Sequence, residues 1–161
     1  MDLSRMSESI VVMIDEILKN QKIVNLVGSS KNLPLTEDVP PASIAPMSKN
    51  QRITAYPFDI DYLGDVRTEL RIYYPEFRFL NNNHVNETIV IVDIIVHKDI
   101  WLMSNDGKKV IRPYVIADEI FKHFKHRNVQ RLGKLHFIDG AHVMINSEFE
   151  AVRLTAKLTD F

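Results

Sequence analysis

The stretch TIVIVDIIVHKDIW, residues 88–101, decides how the rest of the chain is read. On a two-residue pleat Ile89, Ile91, Asp93, Ile95, His97, Asp99 and Trp101 face one way, and Val90, Val92, Ile94 and Val96 the other. Both faces are largely apolar, whereas an antiparallel strand in a small protein commonly keeps one face wet. The strand therefore requires cover on both sides, from the N-terminal helix or from a neighbouring subunit, and a neighbouring copy is the preferred second cover. Asp93 and His97 raise the question of chemistry, because carboxylate and imidazole are both metal ligands. Four residues along a strand span about 13 Å, too far to share one ion. The expectation is a pair of structural polar groups, each satisfied by its own neighbours.

Upstream, RITAYPFDIDYLGDVRTELRIYYPEFRFL (52–80) turns strand-like toward its end. Leu70, Ile72 and Tyr74 share one parity while Phe77 and Phe79 share the other, which predicts a bulge near Tyr74 and Pro75. The asparagine-rich NNNHVNE (81–87) then reads as the turn of a long β-hairpin. Downstream, MSNDGKK (103–109) is a turn around Asp106-Gly107. Pro113 sits where the first turn of a helix tolerates it, and Ile116, Ala117, Ile120, Phe121 and Phe124 form an apolar stripe behind it. Asp118 near its start and Lys122, Lys125, His126 and Arg127 near its end suit the helix dipole. Two strands close the chain, roughly Lys134 to Ile145 and Phe149 to Thr159, with a bulge or tight turn at Asp139-Gly140.

At the other end, Leu3, Met6, Ile10, Met13, Ile14 and Ile17 recur at three- and four-residue steps, which marks an amphipathic helix. A second apolar patch, KIVNLVG (22–28), follows, with Gly28 as a left-handed stop. Residues 28–51 contain Pro34, Pro40, Pro41 and Pro46 and read as a long loop, either a floppy connection or an arm lying on a neighbour. The fold class is α+β: an antiparallel or mixed sheet of about four main strands, with an N-terminal helix and one central helix packed on it. A single domain is expected over 1–161, with a helical segment 1–27, the loop or arm 28–51, and a sheet-and-helix core 52–161.

The 161 residues are 45% hydrophobic and 25% charged, with a formal net charge of -1 and no cysteine. That balance gives no overall pull toward polyanions, and the missing cysteine excludes disulfides and thiolate metal sites. Asp2, Glu8, Asp15 and Glu16 stand where a signal peptide needs basic and apolar residues, and no run is long enough to span a bilayer. A cytoplasmic site of synthesis is expected, so the sequon Asn86-Glu87-Thr88 carries no meaning.

Other candidate chemistry is sparse. His123 and His126 are three apart on the central helix, but a metalloprotease motif needs i and i+4 with a glutamate beside the first, so a solvated basic helix end is expected. That cluster, continued by Arg131 and Lys134, is a candidate for phosphate contact, though it lacks interleaved aromatics. Asp59, Asp61 and Asp65 lack the glycine and glutamate of a calcium loop. No nucleophile elbow, phosphate-binding glycine loop or nuclease acid–lysine pair is present. No enzyme, cofactor or metal is expected.

The layout from Tyr56 to Phe161 resembles the small neck and tail-completion proteins of tailed bacteriophages, tail terminators included. It is carried by YPFDIDYLGDVRTELRIYYPEFRF, an asparagine-bearing turn, ETIVIVDIIVHKDIW, RPYVIADEIFKHF, GKLHFID and INSEFEAVRLTAKLTDF. The resemblance implies a non-enzymatic virion protein that forms a ring, commonly hexameric, at the head-tail junction, where it ends the tail tube and joins tail to neck. Its implied partners are copies of itself, the tail tube protein and a neck or head-completion protein, with DNA passing through the lumen unread and no membrane. Subunit interfaces are expected in the long loop at Leu35, Val39 and Ile44, in the strand at Ile91, Ile95 and Trp101, and in the hairpin turn at Asn82 and His84. The competing readings are another neck component (stopper or adaptor), a nucleic-acid-interacting accessory protein using the His123 to Lys134 patch, and a small hydrolase around Asp93 and His97.

Overall fold

The computed structural model describes residues 2–78, 88–125, 127–129 and 133–159. Its centre is the quoted stretch. Strand β3 (Ile89–His97) lies between β2 (Thr68–Tyr73) and β7 (Phe149–Thr159), antiparallel to both. The outer neighbours are β1 (Ile53–Thr54), parallel to β2, and β6 (Lys134–Met144), antiparallel to β7, so the five-stranded mixed sheet runs β1-β2-β3-β7-β6. The α+β class and the mixed sheet expected from the hydrophobic pattern are present, with β1 as a short addition to four long strands.

Among the described residues four helices accompany the sheet: α1 (Leu3–Leu18), α2 (Gln21–Gly28), the single turn α3 (Pro41–Ile44) and α4 (Arg112–Phe124). The first two are separate because Asn20 caps the second, its side-chain oxygen accepting from the Ile23 N–H at 3.2 Å. Asp2 caps α1 in the same way through the Arg5 N–H. These helices bury Val90, Val92, Ile94 and Val96 together with Leu70, Ile72, Ala156 and Leu158, which forms the main core. Four fully or nearly fully buried branched side chains on one strand face stabilise by roughly 1.5–3 kcal/mol each.

Several local expectations are revised. The phase change at Pro75 is no bulge: β2 ends at Tyr73, and Tyr74 and Phe77 lie beyond the strand, because proline has no N–H for a ladder; Phe79 lies outside the described residues. The pleat likewise stops at His97, whose Nδ1 accepts the Asp99 N–H at 3.1 Å and starts a 3-10 turn over Lys98–Ile100, so Asp99 and Trp101 do not continue its face. The bulge in β6 falls between Phe137 and Asp139. Asp106 and Gly107 both take positive φ, 49° and 75°, and close a two-residue hairpin between β4 (Leu102–Asn105) and β5 (Lys108–Ile111), whose strands the turn signal alone did not reveal.

Gly28 does not take a left-handed conformation. It is needed for space, since a Cβ there would lie 2.6 Å from Val39 Cγ1. The loop 28–51 is accordingly fastened to its own chain. Asn25 accepts the Val39 N–H at 2.9 Å and donates to Asp38 at 3.0 Å, and Ile44 is fully buried in the main core.

Candidate functional site

The second face of the sheet carries the polar residues that the sequence singled out. Asp93 on β3 stands directly across from Arg153 on β7, and the guanidinium grips the carboxylate with Nε at 2.7 Å and Nη2 at 2.9 Å. Tyr73 on β2 donates its hydroxyl to the same carboxylate at 2.9 Å. Asp93 is 4% exposed, so the pair works in a medium where charge-assisted hydrogen bonds are strong. Burial, and then the Asp93 hydrogen bond, push the Tyr73 phenol up to about 12, while that carboxylate raises the Arg153 pKa.

Beside this triad lies a second ionic group. Glu69, 2% exposed, takes Arg67 at 2.5 Å and Arg71 Nε at 2.9 Å. The two arginines lie over aromatic rings, Arg67 over Tyr62 at 4.6 Å and Arg71 over Tyr56 at 4.9 Å. Phe58, Tyr62 and Phe149 pack on one another with centroids 5.3–5.8 Å apart and form a small second core over Ile95 and Ala151. His97 packs edge-on against Phe149 at 5.0 Å.

The cover at the His97 end of the second face comes from the same chain. Ile95 is fully buried because the segment carrying Phe58 and Tyr62 folds back over it, and His97 is 7% exposed beside Phe149, all within one chain. The expected neighbouring copy is not needed for that cover. Asp93 and His97 are each committed to their own structural partners, and among the described residues no group of three metal-ligating side chains is assembled.

The covering segment is pinned at its far end. Asn146, in the β6–β7 turn, donates to the carbonyls of Ile60 at 3.0 Å and Tyr62 at 2.9 Å, and Glu148 accepts the Gly64 N–H at 3.0 Å. Ile60 (63% exposed), Leu63 (57%) and Met144 (84%) therefore stand on a tethered scaffold with their side chains in solvent. The physical signal that could have found them is the density of apolar residues in a segment that forms no strand; only the Asn146 tether shows that they share one end of the molecule.

The other residues expected at interfaces are distributed as follows. Leu35 is 36% exposed, Val39 is half-buried against Gly28, and Ile44 is sealed in the core. Ile91 is 6% exposed and Trp101 is half-buried, stacked on His142 at 5.3 Å. Ile44 and Ile95 thus have no surface to offer a partner, a correction that follows from packing inside the chain. Asn82 and His84 lie outside the described residues, as do His126 and Arg131. His123 is not a solvated helix end: it is 8% exposed, lying 3.2 Å from the Asn20 amide and 3.6 Å from Glu16. Burial and then the nearby Arg127 charge lower its pKa, with Glu16 opposing them.

The model of the YomW family matches residues 20–158. The chain belongs to the YomW family. The family's name is of the type given to genes of a Bacillus phage SPBc2. The match takes in α2, the proline-containing loop and the sheet as far as Leu158, and so spans both ionic groups of the second face. No curated protein and no solved structure matches the chain.

Proposed function

We propose that this YomW-family chain is a structural subunit of a tailed-phage particle, assembling in the host cytoplasm into a ring, hexameric as the tail-completion layout implies, at the head-tail junction. There it ends the tail tube and joins tail to neck. Its contacts are with copies of itself, with the tail tube protein and with a neck or head-completion protein, while DNA passes through the lumen unread.

The observation that carries this reading is the tethered apolar end of the sheet. Ile60, Leu63 and Met144 are exposed on a frame fixed by the Asn146 hydrogen bonds, which spares a contact there the entropy of ordering a loose segment. Exposed apolar side chains on an ordered surface are characteristic of association sites. In a ring each subunit offers one patch to a different patch on the next, so closure removes such surface from water. The phage association of the family and the commitment of Asp93 and His97 to structural partners add support.

Sedimentation analysis over a wide concentration range, paired with negative-stain imaging, tests it. Rings are expected from the purified chain or on added tail tube, and Met144→Glu together with Ile60→Glu should abolish them while leaving the circular dichroism unchanged. A chain that stays monomeric in both settings refutes the reading.

A further inference from the structure

Met47 is 97% exposed, more than any other large apolar side chain among the described residues, and its backbone takes a positive φ of 66°. That conformation suits glycine, and a residue with a Cβ holds it only where its surroundings fix it. Here they do. The Met47 N–H donates to Gln51 Oε1 at 3.1 Å, the Ser48 N–H to the Ala45 carbonyl at 3.2 Å and the Ser48 hydroxyl to the Ser43 carbonyl at 3.0 Å. The turn is therefore an ordered knob with a thioether side chain at its tip. Near it a groove of about 460 Å³ opens between α1, the end of β2 and the residues after β1, lined by Met6, Ile10 and Val11 and by Tyr56, Tyr73 and Tyr74. Val11 and Tyr56 are each 53% exposed. Gln51 joins the two features, because the amide that accepts from Met47 also donates to the Tyr56 hydroxyl, at 3.4 Å.

From this arrangement we infer that two copies of the chain pair across a twofold axis, each placing Met47 in the other's groove. A knob and a groove tied together on one surface form a self-complementary patch, as an isologous contact requires. At its exposure Met47 does not fill the groove of its own chain, so a second copy supplies the occupant. The fit is chemical as well. A flexible thioether packs favourably against aromatic rings, and three tyrosines line the groove. Charge favours the same pairing. Residues 42–58, around the knob, contain Lys49 and Arg52 and no acid, while residues 2–18, which include the α1 wall, contain Asp2, Glu8, Asp15 and Glu16 against Arg5 alone. Glu8 follows the groove residue Ser7, and Lys49 lies two residues past the knob's tip; both are exposed and without an ion pair among the described residues. The contact goes beyond the proposed ring: it uses neither Ile60 nor Met144, and it stands whether or not a ring forms.

Sedimentation equilibrium of the full chain carrying Ile60→Glu and Met144→Glu, which disable the proposed ring surface, tests it. Dimers are expected to form as concentration rises. Adding Met47→Gly suits the positive φ and removes only the side chain. The melting temperature is then expected to hold or rise, while the dimer dissociation constant rises about 100-fold, at about tenfold for each of the two lost anchors. Lys49→Glu should weaken the dimer as well, and Glu8→Lys in the same chain should restore it. A chain that stays monomeric at every concentration overturns the inference, as does a Met47→Gly chain that dimerises with unchanged affinity, or a charge exchange that restores nothing. In the unsubstituted chain, Met47-dependent dimers without rings would refute the ring and support this contact.

Discussion

Replacing Arg112 gives the sharpest test of how the helices are joined. Its side chain is fully buried and fans out to four carbonyls: Ile100 at 2.9 Å, Leu26 at 3.2 Å, Ser29 at 3.0 Å and Lys31 at 2.6 Å. It thereby ties the end of α2 and the start of the proline-containing loop to the turn after β3. Burial lowers the guanidinium pKa from 12.5 to about 10, so the folded state bears about 3 kcal/mol of desolvation at ~1.4 kcal/mol per pKa unit. The hydrogen bonds offset this, at roughly 1.5–3 kcal/mol for each bond to a charged donor. In Arg112→Met the charge is gone, but the Leu26 and Ile100 carbonyls are left buried without a donor, at about 1–3 kcal/mol each. The expected loss is about 4 kcal/mol, which for a chain of this size lowers the melting temperature by roughly 8–16 °C. Arg112→Lys should lose at least as much. A lysine keeps the buried charge and offers three donors to four carbonyls, without the planar fork that reaches in several directions at once. Urea and thermal unfolding followed by circular dichroism measure both. A Lys variant within about 0.5 kcal/mol of wild type would refute the claim that fork geometry is what matters; a Met variant of wild-type stability would refute the contribution of the bonds themselves.

Other consequences of the geometry can be measured alongside. Gly28→Ala should cost about 1–3 kcal/mol by overpacking against Val39, and Val39→Ala in the same chain should recover much of it; strict additivity in the double-mutant cycle would show that the two positions do not touch. Asp93→Asn should destabilise by about 1–3 kcal/mol and couple to Arg153→Met, because the carboxylate is buried while its guanidinium partner is partly exposed. The raised Tyr73 pKa makes the folded state hold its phenolic proton more tightly, so that stability is complete below pH 10 and is lost as pH rises toward about 12. Tyr73→Phe should flatten that alkaline loss in urea midpoints, and an unchanged limb would count against the Tyr73–Asp93 contact. His123 has the opposite sign: its lowered folded pKa means that the unfolded chain takes the proton first, so stability falls as pH drops below 6.5. His123→Gln should weaken that acid-side dependence, and an identical pH profile would refute the burial argument.

Much of this molecule is determined locally. The repeat of Met6, Ile10, Met13, Ile14 and Ile17 can bury one face only as a helix, and the alternation of Val152, Leu154, Ala156 and Leu158 only as a strand, because side-chain direction has a period of 3.6 residues in one and two in the other. Asp106-Gly107 and Pro113 mark their turn and helix start by backbone stereochemistry that needs no distant partner. Both apolar faces of β3 were equally legible. What covered the second face was not, since that depends on which segment folds back, and Phe58 and Tyr62 reach Phe149 across more than eighty residues of chain. The same holds for the loop, which local proline content reads as loose but which Asn25, Arg112 and the buried Ile44 fasten down. It holds also for Phe121 on α4 and Phe137 on β6, neither of which shows by its own position that their rings meet at 5.7 Å. Periodicity reports which faces must leave water; only the tertiary structure decides what meets them, because hydrophobic burial has no direction and any apolar surface of the right shape can satisfy it.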